Sequence, residues 1–263
     1  MREAGQRLDL LLVERGLAES RSRAQGLIMA GAVRVDGEVI TKAGSRVPSD
    51  RTLAVDGENP YVSRAGEKLA GALDDFGVDL SGRECLDAGA STGGFTDVLL
   101  QRGAARVISV DVGYGQLDWR LRKDPRVTVM ERTNVRRLSG GDLPFEPDLL
   151  VADLSFISLA VALENLLSST PSIREAILLV KPQFEAGPEQ VGRGGLVRDP
   201  EVRSAVIAGV AKSFAGLGFG AVGVARAAVA GRKSGNQEYP LWLARGADVQ
   251  LDEAGIREVV GDG

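Results

Sequence analysis

Apolar residues at Leu8, Leu11 and Leu12 recur at the spacing of one helical face, and Gly16 closes that helix. Ser20 stands where an N-cap is needed for a second helix running to Gly31. The stretch AVRVDGEVI changes period: apolar and polar residues alternate around Asp36-Gly37, which predicts a hairpin closed by a type I′ turn. RTLAVDG adds a further short strand. Two helices leading into a small sheet predict an α+β unit over residues 1–59. GENPYVSRAG, with its Gly, Asn and Pro, reads as a connection, placed at residues 60–66. A helix from about Arg64 to Phe76 follows and carries Lys68. Five strand-like runs, RECLDAG, RVISVDVG, RVTVMER, PDLLVADLSF and AILLVKPQF, then alternate with helical segments. That alternation predicts a parallel, Rossmann-like sheet covered on both faces, filling an α/β domain over residues 67–263. AVGVARAAV and YPLWLAR can extend the sheet. Ligands of such sheets sit beyond the carboxyl ends of the strands, and that rule locates the site.

Composition narrows the chemistry more than the fold. At 263 residues the chain has room for one medium domain and a small appendage, and 44% apolar with 26% charged residues is ordinary for a soluble globular protein. No run of eighteen apolar residues occurs, because Lys212, Arg226 and many glycines break the most hydrophobic region, Ala205 to Gly231, which reads as a helix plus a strand. Leu10 to Val13 is bracketed by Asp9 and Glu14, which disqualifies a signal-peptide core, so residence in the cytoplasm and no membrane partner are expected. There is no histidine, and the single cysteine, Cys85, falls in a strand expected to be buried. Ser-His-Asp and Cys-His triads, histidine bases and Cys/His zinc sites are thereby excluded, so no metal is expected and proton chemistry falls to Lys, Asp, Glu or Tyr. The net charge of -4 conceals a local excess of three positive charges over residues 15–46.

LDAGASTGGFTDVLL, residues 86–100, predicts a strand that breaks on a glycine turn and becomes a helix. It lacks the lysine and spacing of a Walker loop, and Ser91 stands where the dinucleotide fingerprint needs its second glycine. An acid at Asp87 would repel pyrophosphate and attract a cation. Asp111, at the end of the next strand, stands where an acid hydrogen-bonds a ribose. S-adenosylmethionine fits this pair, with an amino group, a sulfonium, a ribose diol and no phosphate. Gly89, Gly93 and Gly94 let its methionine part approach the backbone, Ser91 lies in the same turn, and Asn134, Asp153 and Phe156 are candidates near adenine.

RLDLLLVERGLAESRSRAQGLIMAGAVRVDGEVI resembles the S4 RNA-binding domain in its helix order, Ser-Arg cap and hairpin. The resemblance implies that Arg15, Arg21, Arg23, Arg34, Lys42 and Arg46 face a phosphate backbone. At the sheet's carboxyl rim, Asp153 ends LLVAD, Lys181 ends ILLVK and Glu238 opens EYPLWL, with Lys68 on the preceding helix. These four, together with DVGYGQL, VADLSFIS, VKPQFEAG and GNQEYPLWLAR, resemble the TlyA family of RNA 2'-O-methyltransferases, whose catalytic domain is similar to FtsJ. The likeness spans nearly the whole chain; PYVSRAG departs from the R-x-W-V linker of some members. It implies methylation of a cytidine ribose in small-subunit ribosomal RNA, and in many members the large subunit also, with Lys68, Asp153, Lys181 and Glu238 as the catalytic set. The partner is then ribosomal RNA or a ribosomal subunit.

A ribose hydroxyl must lose its proton as it attacks, and with no histidine a neutral lysine is the plausible base. The expectation is that Lys181 accepts the proton, Asp153 and Glu238 orient it, and Lys68 steers or stabilises the developing oxyanion. Residues 185–200, EAGPEQVGRGGLVRDP, form a glycine-rich loop before a helix capped by Asp199 with Pro200 in its first turn. The loop reads either as a lid carrying Arg193 and Arg198 toward RNA or as a plain surface connection. The family also carries a haemolysin label, so a membrane-active protein is one rival reading, and a methyltransferase of small molecules is another.

Overall fold

A computed structural model describes residues 5–55, 60–229, 235–248 and 250–261. Residues 1–4 and 56–59, expected within the first unit, and 262–263 at the end of the second, lie outside the described residues. The chain divides into two compact units after Pro60.

In the smaller unit, β1 (Gln6–Arg7) leads into α1 (Leu8–Glu14) and α2 (Arg21–Met29), followed by β2 (Val33–Val35), β3 (Glu38–Val39), β4 (Arg46–Val47) and β5 (Leu53–Val55). Ser20 caps α2 by accepting from Arg23 N at 3.2 Å. Asp36 and Gly37 take φ of 50° and 88°, the left-handed pair that a type I′ hairpin between β2 and β3 demands. The stripe Leu8, Leu11 and Leu12 packs with Ala24, Leu27, Ile28, Val33 and Val47 into one small core.

The larger unit opens with α3 (Ala65–Phe76), then β6 (Glu84–Ala88), α4 (Gly94–Gln101), β7 (Arg106–Val110), α5 (Trp119–Lys123), β8 (Val127–Met130), β9 (Leu149–Ala152), α6 (Leu159–Ser169), β10 (Glu175–Val180), α7 (Pro182–Glu185), α8 (Pro200–Ala215), β11 (Phe219–Val224), β12 (Tyr239–Arg245) and α9 (Glu253–Gly261). The seven strands lie in the order β11-β12-β10-β9-β6-β7-β8. The five strands β6 to β10 are mutually parallel, as the alternating pattern requires. Because successive side chains point to opposite faces, Leu86 and Ala88 enter one core with α6 and α8, while Cys85 enters the other with α3 and α4.

The sheet is not wholly parallel. β12 runs antiparallel between β10 and β11, since no helix among the described residues crosses back between β11 and β12 and an antiparallel neighbour needs none. The consequence is positional: Val180 pairs with Tyr239, so the start of β12 lies at the carboxyl end of β10. The order of strands reverses beside β6, where β7 lies on one side and β9 on the other, and ligands of open α/β sheets sit at such a switch point. Tyr61, Val62 and Ala65, from the segment expected as a connection, pack on the core shared by α3 and α4, and Val62 N donates to Asp97 Oδ2 at 2.8 Å.

Candidate active site

Asp87, one residue before the end of β6, is 0% exposed. Its Oδ2 accepts from Thr96 N at 2.9 Å and from Thr96 Oγ1 at 2.7 Å, while Oδ1 has no hydrogen-bond partner. Burial pushes its carboxyl up to about 7, with Asp153 and Asp111 adding to the rise and the Thr96 bonds opposing it. Thr96 Oγ1 also lies 2.8 Å from Ser109 Oγ, so a buried polar network underlies the turn.

The turn itself is folded against its neighbours. Gly89 and Ala90 donate their N–H groups to Val110 O at 2.9 and 3.1 Å, which ties the end of β6 to the end of β7. Gly89 has φ of 87°, and a Cβ there would stand 2.6 Å from Asp153 O, so only glycine lets the turn cross the loop after β9. Gly93 has φ of 97°, and a Cβ there would run into Leu117 and Leu121, while at Gly94, which begins α4, a Cβ would meet Ser63. Ser91 takes φ of 49° and donates its N–H to Asp111 Oδ2 at 2.8 Å, while Gly113 N donates to Asp111 Oδ1 at 2.6 Å. Asp111 is therefore fixed over the turn with lone pairs to spare, as a ribose-binding acid needs. A lysine-free turn over one buried carboxylate with a bare oxygen, flanked by a second carboxylate, suits a cationic nucleoside and not a pyrophosphate. The residues present thus fit S-adenosylmethionine.

The four rim residues come together as two ion pairs. Lys181, just past β10 and only 8% exposed, places Nζ 2.5 Å from Asp153 Oδ1. That contact lies off hydrogen-bond alignment, and the aligned bond from Nζ goes to Ser155 Oγ at 2.9 Å. Lys68, from the first turn of α3, donates to Glu238 Oε2 at 2.5 Å, and Glu238 is 3% exposed. Glu238 reaches the rim because β12 is antiparallel: the residue before Tyr239 then neighbours the residue after Val180.

Other expected site residues have different surroundings. Asn134 is exposed and caps a short 3-10 turn by accepting from Arg136 N at 3.1 Å. Phe156 is no core residue: it is 87% exposed, holds φ of 65°, and its ring lies 4.9 Å from that of Phe184. Arg193 and Arg198 are exposed on the loop before α8.

In the smaller unit, Arg15 binds the carbonyls of Ser49 and Arg51, and Arg21 Nε donates to Asp9 Oδ2 at 3.0 Å, so both hold the unit together. Asp9 is buried, and Arg7, with burial opposing and Gln25 and Arg21 assisting, holds its carboxyl well below the usual carboxylate range. Arg34 donates to Gly37 O at 3.3 Å and Arg46 to Gly5 O at 3.1 Å, while Arg23 and Lys42 are exposed.

Sequence reasoning missed Ser155, Thr96 and Glu185. Ser155 was within reach, two residues after Asp153 on the same loop. Thr96 had no signal, because its bond to Asp87 depends on how α4 folds back under the turn. Glu185, in α7, accepts from Leu159 N at 2.8 Å and so caps α6, tying the loop after Lys181 to the loop after Asp153.

Comparison with known proteins gives a consistent picture. Residues 61–245 match the FtsJ-like methyltransferase family and residues 6–52 the S4 domain. The 16S/23S rRNA (cytidine-2'-O)-methyltransferase TlyA of Mycobacterium tuberculosis is 50% identical over 97% of this chain and 95% of its own length. Hemolysin A of Brachyspira hyodysenteriae is 38% identical over 89% of this chain and 97% of its own. A solved structure of a candidate hemolysin from Streptococcus thermophilus superposes with a TM-score of 0.75 at 38% identity, covering 98% of this chain and 95% of that one.

Proposed function

We propose a function from the premise that the chain belongs to the FtsJ-like methyltransferase family, in its S4-bearing TlyA group: it methylates the ribose 2'-hydroxyl of a cytidine in ribosomal RNA. The methyl donor is S-adenosylmethionine, which when bound supplies an electrophilic sulfonium methyl. The observation that carries the reading is the convergence of two lysine–carboxylate pairs on the rim where the Asp87 turn and Asp111 also end.

In this reading Asp111 would hold the cofactor's ribose hydroxyls, and Asp87 with the Gly89–Gly94 turn would receive its cationic methionine part. Lys181 Nζ, which must first give up its own proton from the pair with Asp153, takes the proton from the 2'-hydroxyl as that oxygen attacks. Asp153, 2.5 Å away, stabilises the ammonium that forms, and Ser155 keeps Nζ on line. Lys68, held by Glu238, faces the negative charge that builds on the ribose oxygen. Phe156, exposed and beside Phe184, offers an aromatic face for a nucleobase, since stacking on a ring is how unpaired RNA bases are commonly seated. The S4 unit supplies affinity for the RNA backbone. Among the described residues no helix is long and apolar enough to cross a membrane. Work on ribosomal RNA in the cytoplasm is the setting we assign, with the small subunit as substrate and the large subunit a second one.

The test is transfer of tritiated methyl from S-adenosylmethionine to purified small and large ribosomal subunits, with the modified nucleotide mapped. A 2'-O-methylcytidine made by the wild type and not by Lys181→Met supports the reading. Methyl on a base, on protein, or on no ribosomal RNA overturns it.

A further inference from the structure

The loop between α7 and α8 contains only short 3-10 turns, and Gly194 and Gly195 both sit at φ of 76°. Glycines of this kind have a wide conformational range. One buried side chain restrains them. Asn236 is 3% exposed; its Oδ1 accepts from Val197 N at 2.9 Å and its Nδ2 donates to Gly195 O at 2.7 Å. Val197 is itself buried. Asn236 lies two residues before Glu238, whose carbonyl accepts from Ala227 N at 2.9 Å and from Gln237 Nε2 at 3.1 Å. On the far side of Glu238, Arg203 of α8 donates to Tyr239 Oη at 3.3 Å and to Arg198 O at 3.1 Å. The loop is thus fastened to the polypeptide on both sides of one acid.

We propose that Asn236 is a positioning residue: its amide latches the loop at residues 192–198 onto the strand entry that carries Glu238, and thereby sets the Lys68–Glu238 pair for methyl transfer. The inference rests on the reading that Glu238 belongs to the catalytic set. It gives the loop a third reading beside the lid and the plain surface connection, as a docked element whose backbone supports the site. Asparagine suits the task because it accepts and donates from adjacent atoms in one plane, as the carbonyl and N–H it meets require. Alanine does neither. Aspartate does both only while protonated, and burial favours that neutral form.

The experiment uses the full chain, with three readouts on Asn236→Ala and Asn236→Asp. Trypsin cleavage after Arg193, followed by mass spectrometry, reports the latch; methyl transfer to ribosomal subunits gives kcat and KM; calorimetry gives S-adenosylmethionine affinity. For Asn236→Ala we expect faster cleavage at Arg193 and a fall in kcat of about 10- to 100-fold, the usual consequence of a misplaced catalytic group, with cofactor affinity and RNA KM unchanged within about twofold. For Asn236→Asp we expect cleavage and kcat close to wild type at low pH, both departing from it as pH rises through the buried acid's titration, a pH dependence that the wild-type amide lacks. Wild-type turnover in Asn236→Ala, or an Asn236→Asp profile parallel to that of the wild type, overturns the proposal. If Asn236→Ala fails to fold, the Asn236→Asp profile decides alone. Glu238→Gln separates the two layers: undiminished turnover there removes Glu238 from the chemistry and this inference with it, whereas the latch is still read from cleavage at Arg193.

Discussion

Asp87 is wholly buried, with one oxygen bonded to Thr96 and the other bare, and its carboxyl is pushed up to about 7 by that burial. Between the ordinary carboxylate range and about 7 the folded protein binds a proton there that the unfolded chain has released. Stability contributed by this group therefore falls as pH rises across that window and levels off above it. Asp87→Asn, which keeps the shape and cannot ionise, should lose this part of the pH dependence. The difference in urea midpoint between the two proteins should shift in favour of the variant from about pH 4 to about pH 7; a constant difference would mean that Asp87 does not titrate there. A cation bound beside the carboxylate favours ionisation, so wild-type affinity for S-adenosylmethionine should rise with pH through about 7, and calorimetry on Asp87→Asn should show a flat, weaker affinity. Lys181 is the complementary case. Lys181→Met keeps the apolar stem and removes the nitrogen that Asp153 and Ser155 hold, so turnover should fall by about 10²- to 10⁴-fold, the usual range for losing a positioned base. Cofactor affinity, measured by calorimetry, should stay within about twofold, since in the proposed role Lys181 would act on the ribose hydroxyl and not on the donor.

At the scale of the element, the turn after β6 works only because a strand end, a glycine and the loop after β9 share one small space. Gly89→Ala would place a methyl 2.6 Å from Asp153 O at a backbone angle that L-residues avoid. Denaturant unfolding should show a loss of about 1–3 kcal/mol, and calorimetry should show cofactor affinity reduced, because the turn and the Asp153 loop must separate. The turn's chemistry is legible in the sequence: Asp87 and Asp111 announce a phosphate-free ligand by residue type and by the spacing of a βαβ step. The parallel core strands are legible too, because strands buried on both faces are written as unbroken apolar runs. The direction of β12 is not, since YPLWLAR reads the same in either sense and only pairing fixes it. Nor is the pairing of each lysine with a particular acid, for Lys68 and Glu238 lie 170 positions apart. Phe156 shows a further limit: hydrophobicity favours burial, yet the short loop after β9 turns this ring outward at φ of 65°.

The molecule combines two units whose contributions to one reaction are separable by measurement. In the smaller unit, arginines that look alike in sequence divide by their partners. Arg21 braces the buried Asp9, so Arg21→Ala should lower the melting temperature of the chain by leaving that carboxylate with fewer donors. Lys42 is exposed, and its loss should leave melting unchanged. If the S4 unit delivers backbone affinity, its cations act by releasing counterions from phosphate. The double variant Lys42→Ala with Arg23→Ala should then raise KM for ribosomal RNA and reduce the slope of log KM against log salt by about 1 for each phosphate contact removed. Neither kcat nor S-adenosylmethionine affinity should change, because Asp87, Asp111 and both lysine–carboxylate pairs reside in the other unit. An unchanged salt slope would move the RNA contact away from these two residues. A fall in kcat at saturating RNA would instead show that the smaller unit shapes the chemistry as well as the encounter, and the division of labour argued from charge alone would fail.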